Sequence, residues 1–117
     1  MKTFTGFLVL LLSALASSSA YAGGAWTSVT ITAIYDYTKE GNANNIVIVT
    51  FSANSTGSAS CATNKGDAII DTSTTAGALA ATTAHMARAS GGTVSADGAG
   101  SCGLYSGIET LADIRAP

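Results

Sequence analysis

From Trp26 to Glu40 the sequence WTSVTITAIYDYTKE alternates with a period of two: Val29, Ile31, Ala33, Tyr35 and Tyr37 stand against Ser28, Thr30, Thr32 and Asp36. That alternation, rich in β-branched and aromatic residues, predicts a strand with one buried face. It assigns Tyr35 and Tyr37 to the core beside Val29 and Ile31. The composition of EGNANN, Glu40 to Asn45, predicts a turn, and IVIVTFS, Ile46 to Ser52, is a second β-branched run with no polar position until Thr50. The two runs read as an antiparallel hairpin. A shorter third strand is expected around Ala68 to Asp71, entered through a turn at Asn64 to Asp67.

The pattern then changes period. In STTAGALAATTAHMARASGG the alanines favour helix, Ser73, Thr74 or Thr75 offers an N-terminal cap, and Gly91 offers a left-handed stop. Leu79, Thr83, Met86 and either Ala89 or Ser90 recur at helical spacing and are expected to face the sheet, leaving His85 in solvent. Beyond the helix, Thr93 to Ala99 reads as a strand. Ile108, Thr110, Ala112 and Ile114 continue as a last strand, although Ile108, Leu111 and Ile114, three apart, also fit a short helix.

Strand, strand, strand, helix, strand, strand is the connectivity of a small five-stranded OB-like barrel, an α+β, mainly β fold with one helix. An open antiparallel sheet carrying one helix has the same element order.

The first residues set the compartment. Lys2 precedes an apolar run, Phe7 to Ala16, too short to span a bilayer, and AYA at Ala20 to Ala22 fits the small-x-small rule for a leader peptidase. Residues 1–22 therefore read as a signal peptide cleaved after Ala22, and residues 23–117 as one domain with no membrane span. Removal of Lys2 takes the net charge from −2 to about −3, which disfavours nucleic acid and anionic membranes as partners.

The small side chains leave a modest core, and a domain of this kind gains from a covalent constraint. The two cysteines, Cys61 and Cys102, meet oxidising conditions after export and are expected to pair. Closing a loop of about 40 residues contributes on the order of 4 kcal/mol in the chain-entropy model. A nucleophilic Cys61 would need a base, and His85, the sole histidine, has no motif that brings it there. One histidine and two distant cysteines lack zinc spacing, and Asp67 and Asp71 lack the density of a calcium loop, so no metal or other cofactor is expected. No catalytic residue is assigned: Asp67 and Asp71 lie about 13 Å apart along a strand, too far for a shared glycosidase site. A pair assembled by the fold, such as Asp97 with Glu109, is the remaining route to an enzyme.

The pattern Cys61, an alanine-rich helix ending ARASGGTV (Ala87 to Val94), and GSCGLYSGIETLADI (Gly100 to Ile114) resembles small exported bacterial disulfide-bearing proteins of uncharacterised function. More distantly, the layout is similar to the OB-fold B subunits of bacterial toxins, which assemble as rings and bind cell-surface glycans. The resemblance implies an exported protein, periplasmic or extracellular, and no established activity; the aromatic and asparagine side chains point to a non-enzymatic module that binds a glycan or another exported protein. A homo-oligomeric structural component of the envelope is the alternative. The candidate binding surface is Trp26, Asn42, Asn44, Asn45 and Tyr105, whose aromatic faces and amide groups suit such ligands.

Overall fold

The computed structural model describes residues 23–38 and 45–117. Its elements are β1 (Ala25–Thr38), β2 (Asn45–Phe51), β3 (Asp67–Asp71), α1 (Thr75–Ser90), β4 (Thr93–Gly98) and β5 (Glu109–Arg115). The domain is α+β, mainly β, and its last segment is a strand. The five strands form one mixed sheet in the order β1-β2-β3-β5-β4, and β4 pairs back onto β1, so the ladder closes. The seam that completes it is short and parallel: Ala68 of β3 lies opposite Glu109 of β5, and Ile69 opposite Thr110.

Closure depends on two irregularities in β1. Between Trp26 and Val29 the strand spends one residue more than β4 does, and Ser28 there adopts a positive φ of 51°. Between Ile31 and Ala33 it spends one more than β2, with Thr32 as the extra residue. Each bulge bends the strand, which lets the first half of β1 pair with β4 and the second half with β2. Each also inverts the side-chain alternation. Trp26, Val29 and Ile31 point inward, and after Thr32 it is Ile34 that joins the core. Tyr35 and Tyr37, expected in the core, are consequently 59% and 45% exposed on the outer face. A bulge in β5 explains the ambiguous spacing there: Leu111 pairs with Gly98 and Asp113 with Asp97, so Ala112 is extra and both Leu111 and Ile114 reach the core.

The interior is built from Val29, Ile31, Val47, Val49, Ala68, Ile70, Val94 and Ala96, with Trp26 and Phe51 near one end. The Trp26 and Phe51 ring centroids are 4.8 Å apart. Trp26 is 2% exposed and its Nε1 donates to the Lys65 carbonyl at 3.2 Å. This removes Trp26 from the candidate binding surface: its indole fills the core, and its polar tip is satisfied by backbone.

At the opposite end lies α1. Thr74 Oγ1 accepts from Gly77 N at 2.9 Å, and Gly91, with φ 72°, ends the helix with its N–H directed to the Ala87 and Arg88 carbonyls. The buried face is Ala81, Ala84 and Ala87, whereas Leu79 and Met86, expected to face the sheet, are 65% and 67% exposed. Methyl-sized side chains let the helix axis approach the barrel closely, and the larger residues are turned outward. Gly77 is the tightest point, since any side chain there would overlap the Asp71 carbonyl.

Replacing Gly77 with alanine should therefore lower stability by about 2 kcal/mol, through overpacking against backbone, although alanine is the better helix former by about 1 kcal/mol. The exposed Ala78→Gly should cost only about 1 kcal/mol. Urea denaturation of the two variants checks both the size and the order.

Candidate functional site

At the end of the barrel away from α1, one carboxylate organises three chain segments. Glu109, the first residue of β5, is 1% exposed. Its Oε2 accepts from Gly24 N at 3.0 Å and Gly100 N at 2.9 Å, and its Oε1 accepts from Ala59 N at 3.1 Å and, more weakly, Gly24 N at 3.2 Å. These donors belong to the segment before β1, the β2–β3 loop and the β4–β5 loop. An acceptor-only group met by N–H donors is how a buried carboxylate is accommodated without a side-chain partner.

The disulfide joins two of the same segments. Cys61 and Cys102 are bonded, with Cα atoms 6.0 Å apart, and each stands two residues after a Glu109 donor, Ala59 or Gly100. Thr63 N and Asn64 N both donate to the Gly107 carbonyl, which adds a third tie between the two loops. The strip leading into β1 is pinned by Gly98 N donating to Gly24 O at 2.7 Å and by reciprocal bonds between Ala25 and Thr56. Side chains at Gly23 or Gly98 would collide with Glu109 Oε2. The arrangement holds loops in place. It offers no free carboxylate edge for proton transfer, and Asp97, the partner suggested by sequence, is engaged by Arg115 Nη1 at 2.7 Å.

A second feature is the outer face of β1, β2 and β3. Tyr35 lies opposite Ile48 and Ile48 opposite Ile69; Tyr37 lies opposite Ile46. Directly opposed residues share a face, so the tyrosines extend an apolar strip. Its inner part is covered: Ile46, Ile69 and Ile108 are buried together, with Ile48 and Leu104 packed against them. Tyr105, next to Leu104 in the β4–β5 loop, is 43% exposed. Of the remaining candidates, Asn45 is exposed at the start of β2, where its carbonyl accepts from Thr72 N and Oγ1. Asn42 and Asn44 lie outside the described residues.

A third feature is an open groove of about 410 Å³ between α1 and the strand ends, lined by Asp36, Asn45, Ile46, Val47, Thr72 and His85 among others. His85 Nε2 and Asp36 Oδ1 are 3.3 Å apart and both residues are well exposed, a geometry that contributes little to stability. Thr72 directs its hydroxyl to the Asn45 carbonyl at 2.9 Å rather than to the His85–Asp36 pair. Among the described residues no cluster of three His, Cys, Asp or Glu side chains is placed to hold a metal, and no helix is long and apolar enough to cross a membrane.

The surface carboxylates differ in their settings. Hydrogen bonds from the Ser73 hydroxyl and then the Ser73 N–H hold Asp71 below the usual carboxylate range. Partial burial pushes Asp113 up, against the attraction of Arg115 and with the repulsion of Asp97.

Sequence reading finds the cysteine pair and places Tyr35 and Tyr37 on the wrong face. It misses Glu109 as an anchor. The available signal was a glutamate directly after an apolar residue at a strand start, in a chain with glycines at positions 23, 24, 98 and 100.

Gly98→Ala should destabilise the domain by about 3 kcal/mol, at the upper end for overpacking, because the new methyl group overlaps the anchored carboxylate. Gly103→Ala, which meets open space, should be close to neutral. Denaturation midpoints of the two variants, both in the loop-end region, provide the comparison.

Comparison of the chain with protein-family models, with curated proteins and with solved structures finds no match.

Proposed function

We propose that this is a small exported, non-enzymatic binding module of the OB type, which takes a glycan on the outer face of β1, β2 and β3. The observation that carries the reading is the exposure of Tyr35 and Tyr37 side by side on that face, 59% and 45%. They continue the Ile46–Ile48 strip toward solvent. A tyrosine presents a flat apolar surface and a polar tip, which suits the apolar face and hydroxyl edges of a sugar ring. In OB barrels oligosaccharides and oligonucleotides bind on this side, between the β1–β2 and β4–β5 loops, and the net charge of −2 for the whole chain counts against the oligonucleotide. Tyr105 stands in the second of those loops. The leader-like start and the disulfide support export. Another exported protein is the competing ligand class for the same face.

A second reading, as an assembling component of the envelope, has its own support. Leu79 and Met86 are exposed on one side of α1 and border shallow grooves that include Ile114 and Ala116 of the β5 end. Apolar side chains of that size on a helix face suit burial against another subunit.

The two readings separate in measurement. On a glycan array the oxidised protein should bind a defined set of sugars, and Tyr35→Ala with Tyr37→Ala should weaken that binding at least tenfold without changing the thermal midpoint by more than a few degrees. Binding that is absent from the array, or indifferent to both tyrosines, contradicts the glycan reading. Light scattering that shows a ring broken by Met86→Glu supports assembly.

A further inference from the structure

The buried Glu109 carboxylate is anchored by N–H dipoles and has no charged side-chain partner among the described residues. The ion pairs among the described residues are His85 with Asp36, and Arg115 with Asp97 and with Asp113; Glu109 is in none of them. The chain that presses against it is Gly23–Gly24. Gly24 N is within hydrogen-bond distance of both carboxylate oxygens. A side chain on Gly23 would collide with Oε2, and since the nitrogen and Cβ of one residue are about 2.5 Å apart, the Gly23 nitrogen lies within about 5 Å of that oxygen. Ser55 Oγ, 8% exposed as a residue, is the buried side-chain oxygen without a hydrogen-bond partner among the described residues. It sits against Gly24, 2.8 Å from where a Cβ would stand. Two acceptors, one of them charged and one unpartnered, thus flank this dipeptide.

Gly23 is also the residue that would follow the AYA site at Ala20 to Ala22. We propose that removal of the leader creates the missing partner: the new α-ammonium of Gly23 pairs with Glu109 and thereby completes the loop end of the barrel. The proposal rests on the export reading given above. In the step itself, water adds across the Ala22–Gly23 peptide bond. The hydroxyl goes to the Ala22 carbonyl carbon, which leaves as a carboxylate, and the nitrogen of Gly23 becomes an ammonium. One neutral N–H donor is replaced by three charged ones, within about 5 Å of Glu109 Oε2. A charged N–H donor makes a stronger hydrogen bond to a carboxylate than a neutral amide does, and Glu109 is already buried, so its own desolvation adds no new cost. Glycine at position 23 is then needed for the close approach to Glu109. The folded domain is then more stable once processed than with the leader attached.

The test uses protein exported by its own leader. Intact mass first reports the amino terminus. A precursor that stays full length overturns the export reading, and cleavage anywhere other than before Gly23 overturns the ion pair while leaving export standing. With Gly23 first, a variant with one alanine inserted between Ala22 and Gly23, confirmed by mass to begin with that alanine, should have a thermal midpoint lower by about 5 °C or more, on the scale of a domain this size. In a Glu109→Gln background the same insertion should produce no shift. An insertion without effect, or one with an equal effect in both backgrounds, overturns the proposal. Should Glu109→Gln fail to fold, acylation supplies the answer without it: at neutral pH the Gly23 amine of the native protein should react at least tenfold more slowly than the amine of the inserted alanine, and equal rates overturn the pair.

Discussion

The loop end of this domain depends on a single carboxylate. Glu109 is buried at the start of β5, and three backbone N–H groups from three separate segments end on its two oxygens. Without it, the Gly24 N–H would be left unpaired in a buried position, at about 1–3 kcal/mol, and the partly buried Ala59 and Gly100 N–H groups would lose their shared acceptor. The same residue forms half of the Ala68–Glu109 pair in the short parallel seam between β3 and β5. One side chain therefore organises the loops while its backbone closes the sheet.

The disulfide acts on the same region from outside. By joining Cys61 to Cys102 it holds Ala59 and Gly100 in register with their shared acceptor, and it limits the unfolded chain by tying residues 41 apart in sequence. The two devices are complementary: one supplies a buried polar centre, the other a covalent limit. They suit a core made largely of Ala, Val and Ile, whose few large side chains are concentrated at Trp26 and Phe51. With the loop end fixed, the outer face of β1 to β3 is a firm platform for Tyr35 and Tyr37, and α1 closes the other end through alanine alone.

Much of this was readable in the chain. The order of elements and the helix with its Thr74 and Gly91 ends follow from short-range patterns, and the cysteine pair, 41 residues apart, follows from there being two cysteines in the chain. What escaped is what depends on position in the closed sheet. Alternation assigned Tyr35 and Tyr37 to the core because nothing local to Thr32 announces a bulge, and one extra residue turns every later side chain to the other face. The helical wheel chose Leu79 and Met86 over the alanines by size, whereas close approach to the barrel selected for smallness. Trp26 is a candidate for the binding surface by its type alone, and its burial depends on a carbonyl at Lys65, 39 residues away, that accepts from the indole N–H. Glu109 could not be recognised as a centre, since its partners are backbone groups 9, 50 and 85 residues away.

Native-state hydrogen exchange tests the role of Glu109 most directly. Gly24, Ala59 and Gly100 lie outside the regular strands, and amides in such positions ordinarily exchange fast. If the carboxylate anchors all three, their amides should exchange as slowly as core amides such as Val49 and lose protection together as denaturant is added. Exchange of Ala59 and Gly100 at the rate of the exposed Gly103 would contradict the account.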